Sequence, residues 1–130
     1  GAIVEILRAR LVGEVRPREA RRRVQAAIDT LATLAAEQPT NRRIHRWWSE
    51  AHLLAARLAE RPEAAEDQVR EALEVIAPFA EASRDGRVVA PYEVALRCLG
   101  RTVEAEEARE KLRRTGYFSP LDAHCPSSGR

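Results

Sequence analysis

Between Val88 and Pro120 the chain reads VVAPYEVALRCLGRTVEAEEAREKLRRTGYFSP, two helical patterns meeting at Leu99-Gly100-Arg101. Pro91 is read as starting a short helix that places Val94, Ala95, Cys98 and Leu99 on one face. Thr102 is read as capping a second, with Val103, Ala108 and Leu112 inward. Gly116 fits a position just past its end, with Tyr117 and Phe118 placed to fold back over the last turn. A chain that contains this element contains a helical hairpin, which cannot bury its apolar faces alone and has to stack on more of its kind.

The rest of the sequence supplies the material. Ala20, Val24, Ala27, Ile28, Leu31, Leu34 and Ala35 form one helical stripe, opening near Pro17 and closing at Gln38-Pro39. Thr40 or Asn41 can cap the next helix, striped by Ile44, Trp47, Trp48, Ala51, Leu54, Ala55 and Leu58. Arg61-Pro62 ends it and begins another, with Ala65, Val69, Ala72, Leu73, Ile76 and Ala80 inward. Pro78 would clash with the carbonyl of Glu74, which predicts a kink or an early end near Ala77. Ser83-Arg84-Asp85-Gly86 is the clearest loop. Residues 2–12, with Ile3, Val4, Leu7 and Leu11 on one face, read as a further helix stopped by Gly13. Ala, Leu, Arg and Glu dominate and aromatics are only 5%, so the expected class is all-α, about six helices in stacked antiparallel hairpins. The domain is placed at 1–120 and a flexible tail at 121–130. The opening Gly-Ala, already inside a helical pattern, reads as a piece of a longer protein.

Arg18-Glu19-Ala20, Pro62-Glu63-Ala64 and Val103-Glu104-Ala105 each open the second helix of a pair, somewhat over forty residues apart. In the third unit Leu96, Gly100, Ala105 and Ala108 supply small residues at the turn and helix crossing. From Tyr92 to Pro120 the chain thereby resembles a tetratricopeptide repeat. The upstream units are longer than that family's roughly 34-residue period, and its first-helix Trp-Leu-Gly run is missing, which keeps a related right-handed α-solenoid or an irregular bundle open beside it. The resemblance implies a protein-interaction scaffold whose first helices line a binding face. On that face stand Arg43, Trp47, Glu50, Leu54, Tyr92 and Arg97, with Trp48 beside them. Adjacent indoles sit about 100° apart on a helix, so one tryptophan is expected in the core and the other at a helix contact or on a surface groove; one or both packed between helices is the structural reading, and an anchor in a binding groove the functional one.

Arginines concentrate at Arg16, Arg18, Arg21, Arg22 and Arg23, and again at Arg42, Arg43 and Arg46, both at expected helix starts where the helix dipole disfavours cations. They read either as a solvated face or as a surface for an acidic partner, nucleic acid being the sharper version. The net charge of +2 is small for a dedicated nucleic-acid domain. His45 and His52 stand seven apart rather than the four of a zinc-binding helix pair, so they read as surface or interface residues and no metal is expected. Cys98 reads as a small buried hydrophobe. With Cys125 it is too sparse for a disulfide scaffold, which favours a reducing cytosol. No catalytic set, phosphate loop or cofactor motif emerges, and no apolar run is long enough to enter a membrane.

The function expected is thus non-catalytic: binding a peptide segment or a neighbouring domain of the parent chain. Two rivals stand beside it, a helical regulatory domain of a nucleic-acid-binding or signalling protein that uses its arginines, and a helical appendage of an enzyme whose active site lies elsewhere.

Overall fold

The structure is a computed structural model describing residues 16–117 and Cys125. The expected helix over 2–12, Phe118, the domain edge at 120 and the tail apart from Cys125 lie outside the described residues. Among the described residues there are five α-helices and no strands: α1 (Pro17–Glu37), α2 (Arg42–Leu58), α3 (Pro62–Ala80), α4 (Gly86–Cys98) and α5 (Thr102–Thr115). Each packs on its successor, and α2 also reaches α4, while among the described helices α1 lies along α2 alone.

Two kinds of helix start alternate along the chain. α2 and α4 begin behind acceptor side chains, Asn41 taking the Ile44 N–H and Asp85 taking the Arg87 N–H. α1, α3 and α5 begin behind Arg16, Arg61 and Arg101, none with a side-chain cap bond. In each of these three the fourth helical residue is a buried alanine: Ala20, Ala65 and Ala105. Its N–H closes the first turn on the arginine carbonyl at 3.0, 3.0 and 2.9 Å. A methyl side chain there lets the helix start lie close against its neighbour. In the second of these helices the buried alanine is Ala65, while the Ala64 of the sequence motif is exposed.

The hairpin joining α4 to α5 turns through Gly100 at φ 76°, where the Gly100 N–H donates to Arg97 O and the Arg101 N–H to Leu96 O. This pair of reversed bonds satisfies the last carbonyls of α4 and needs a residue free to adopt left-handed φ. Gly116 ends α5 in the same region, as its sequence position predicts. Two other helix ends are closed by neighbouring elements. Arg21 of α1 donates to Leu58 O at the end of α2, and Lys111 of α5 to Glu81 O beyond α3.

The core follows the stack. Val24, Ala27, Ile28, Leu31, Ala51 and Leu54 join α1 to α2. Leu53, Val69, Leu73, Val89, Leu96 and Ala105 are among those joining α2 through α5. Inside it Ser49 donates to Ala72 O at 2.8 Å, and Nδ1–H of His52 donates to Gln68 Oε1 at 2.7 Å, tying α2 to α3. Buried Glu93 accepts from Arg97 at 2.9 Å and lies 3.4 Å from Arg109, bridging α4 and α5.

Several expectations are corrected. α3 does not end early near Ala77 but runs through Pro78 to Ala80: the proline sits in the last turn, where only one intrahelical bond is lost. α4 starts at Gly86, five residues before Pro91, because Asp85 caps it. Thr102 is the first residue of α5 rather than its cap, and Val103 is 72% exposed rather than inward. His45 and His52 are buried between helices, which removes the surface half of the surface-or-interface expectation. Cys98 is no free thiol: it forms a disulfide with Cys125, the two Cα atoms 5.2 Å apart.

Candidate functional site

Because α1 and α2 run antiparallel, the two arginine clusters end up at opposite ends of α2, about 25 Å apart for 17 residues. Their surroundings differ. At the α1 start Arg21 is engaged with Leu58 O and, at 2.6 Å, with Glu60. Arg23 donates to Glu19 at 2.8 Å, and Arg16 lies 3.7 Å from the same carboxylate. These guanidiniums hold Glu19 below its ordinary range, the Arg23 hydrogen bond foremost. Arg18 and Arg22 are exposed on the same helix. The charge run here is largely a lattice of internal ion pairs and a helix-end cap.

At the other end of α2 the chain makes a cleft of about 410 Å³, lined by Asn41, Arg42, Arg43, Arg46, Asp85, Arg87 and Val88. Its geometry follows from the capped starts of α2 and α4 lying together, so the positive dipole ends of two helices border one space. Arg87 clamps Asp85 with Nε at 3.2 Å from Oδ1 and Nη2 at 3.1 Å from Oδ2. The Asp85 carboxyl is held below its ordinary range chiefly by that side-chain hydrogen bond, with the Arg87 N–H and the charges of Arg87 and Arg42 adding to it. Arg46 lies 3.7 Å from Glu50 and spreads over the Trp47 ring, its guanidinium carbon 5.2 Å from the ring centre. Arg42 and Arg43 are exposed and have no carboxylate within 4 Å among the described residues.

Tyr117 lies across the start of α4. A Cβ placed on Gly86 would overlap the Cβ and Cγ of Tyr117, so only glycine admits this close approach. The Tyr117 hydroxyl is pushed up from its ordinary value, first by burial, while the nearby charge of Arg46 pulls it down.

The other residues expected at a binding face are dispersed. Trp47 and Trp48 are both half-buried and both pack on the α1–α2 core. Trp48 lies between His45 and His52, and His45 in turn stacks on Phe79 with ring centres 4.4 Å apart. Both indole N–H groups are buried with no hydrogen-bond partner among the described residues, the placement of packing residues rather than of exposed anchors. Leu54 is buried in the same core. Tyr92 packs on the α2–α5 core, and Arg97 is engaged with Glu93 and close to Cys125. Of the face expected from sequence, Arg43 alone lines the cleft, where the second arginine group supplies Arg42 and Arg46. Arg87 and Asp85 stand in no charge cluster of the sequence; the signal available for them is an acceptor residue immediately before a helical pattern, the mark of an N-cap.

A second groove, of about 390 Å³, runs between α3 and the α4–α5 turn beside Arg70, Leu73, Ala77, Leu99 and Arg101. Its Arg70 is engaged with Glu66 and Asp67. No group of three or more metal-binding side chains occurs among the described residues, and no helix there is long and apolar enough to cross a membrane. No protein-family model, curated protein or solved structure matches the chain.

Proposed function

We propose that this chain is a non-catalytic interaction domain of helical-repeat type, which seats an acidic segment of a protein partner, or of a neighbouring domain, in the arginine-lined cleft at the starts of α2 and α4. The observation that carries this reading is the convergence of four guanidiniums from two helix starts on one open cleft, with Arg42 and Arg43 unengaged by carboxylates among the described residues. The tetratricopeptide-like, solenoid form of the reading is supported by the alternation of two helix types. It also draws on the buried alanine at the fourth position of α1, α3 and α5, and on the contact of α2 with α4 across the hairpin between them. Placement in the cytoplasm has to accommodate the Cys98–Cys125 disulfide, a bond more at home in an oxidising compartment.

The test is a ¹⁵N NMR titration of the full chain with an Asp/Glu-rich peptide at low salt. The reading expects shift changes concentrated at 41–46 and 85–88, fading as salt is raised. Changes confined to Arg18–Arg23, or none, would overturn it.

A further inference from the structure

The charge inventory of the cleft narrows the ligand further, and this step rests on the acidic-segment reading. Arg87 meets both oxygens of Asp85, and Glu50 stands against Arg46. Those two pairs leave the charges of Arg42 and Arg43, two in number, on adjacent residues that line the same space. Asp85 does not repel an incoming anion strongly, because its carboxylate is compensated by a bidentate clamp that still leaves the Nη1 side of Arg87 free of it. In the first turn of α2 the Ile44 and His45 N–H groups are taken by Asn41, and those of Arg42 and Arg43 are the ones that a helix start leaves without an intrahelical acceptor. Planar guanidiniums beside exposed helix-start N–H groups match the several acceptor oxygens and double charge of a phosphate monoester better than the single charge of a carboxylate.

We infer that the cleft recognises a phosphate monoester dianion, carried as a phosphorylated serine or threonine on the bound segment, with Arg42 and Arg43 as its principal contacts. The same chemistry is offered by a free phosphate, so the test compares both sources. Fluorescence anisotropy on the full chain would use one labelled acidic peptide in three versions: central phosphoserine, central glutamate and central serine. Inorganic phosphate serves as competitor.

The expected result is binding at least about ten-fold tighter for phosphoserine than for glutamate. Arg42→Ala with Arg43→Ala should abolish that preference, whereas Arg18→Ala with Arg22→Ala should preserve it. Competition by inorganic phosphate at the peptide's own affinity would assign the site to a free phosphate and overturn the segment-borne source. Equal affinity for phosphoserine and glutamate, with shifts at the cleft, would overturn the phosphate inference and leave the acidic-segment reading standing. Failure of all three peptides to bind would overturn both.

Discussion

Gly86 is the residue on which two parts of the molecule depend at once. In the first turn of α4 an alanine would ordinarily be favoured over glycine by roughly 0.5–1 kcal/mol. Here its methyl group would collide with the near end of Tyr117, whose Cβ and Cγ cannot swing away as a long side-chain tip could. Gly86→Ala is therefore expected to destabilise the protein by about 1 kcal/mol, and to become stabilising in a Tyr117→Ala background. A four-corner set of urea melts checks this; a Gly86→Ala effect independent of Tyr117 would refute the contact.

Asp85, one residue earlier, has two roles that substitution can separate. Asparagine retains the cap to the Arg87 N–H but gives up the ion pair. Because the folded carboxyl titrates below the usual 3.8, its charge contributes stability above that value and loses it as pH falls through the folded value. Asp85→Asn should thus cost no more than about 0.5 kcal/mol at pH 7, since the pair is largely solvated, and less still near pH 2.5. Melts at the two pH values would show it. A deficit that grows on acidification would contradict the sign. The same substitution adds net positive charge to the cleft and should tighten acidic-peptide binding.

At the scale of the element, α4 and α5 are held by three unlike devices: the Gly100 turn, the Glu93 bridge and the Cys98–Cys125 disulfide. Glu93 is 7% exposed while Arg97 and Arg109 remain partly solvated, so removing the carboxylate leaves cations that can turn to water. Glu93→Ala is expected to cost about 1–3 kcal/mol, nearer the cost of losing a charged hydrogen bond than that of stranding a buried ion. The disulfide closes a loop across 27 residues of sequence. Chain-entropy arguments give it about 3.5 kcal/mol, so a Cys98→Ser, Cys125→Ser pair should lower the denaturation midpoint accordingly. An unchanged midpoint would show that the bond does not constrain the unfolded chain.

Helix existence was legible in the sequence because the 3.6-residue stripes of α1 and α3 are nearly complete: Ala20, Val24, Ala27, Ile28, Leu31, then Ala65, Val69, Ala72, Leu73, Ile76 and Ala80, all buried. The start of α4 was less so, since proline favours a first turn yet Pro91 is carried inside a helix that Asp85 begins earlier. Polar core residues were not legible at all. Ser49, His52 and Glu93 are inside because of partners on another helix, Ala72, Gln68 and Arg109, and no local pattern announces those pairings.

At the scale of the whole molecule, the sequential stack decides which charges can act together. The two arginine clusters look alike in sequence, and the antiparallel course of α1 and α2 sends them to opposite ends of one helix. One end spends Arg16, Arg21 and Arg23 in ion pairs and a helix cap and keeps Arg18 and Arg22 exposed; the other joins Arg87, some forty residues further along, in a cleft. That convergence belongs to the packing of α2 against α4 and could not be read from either segment alone.

The most direct test is a pair of charge reversals against the same acidic peptide at fixed low salt: Arg42→Glu with Arg43→Glu, and Arg18→Glu with Arg22→Glu. Both pairs lie on exposed helix starts and change net charge equally, so long-range attraction falls alike in the two proteins. Loss of at least about ten-fold in affinity for the first pair, with at most a few-fold change for the second, is the result predicted. Equal losses, or the larger loss at Arg18 and Arg22, would contradict the assignment of the cleft.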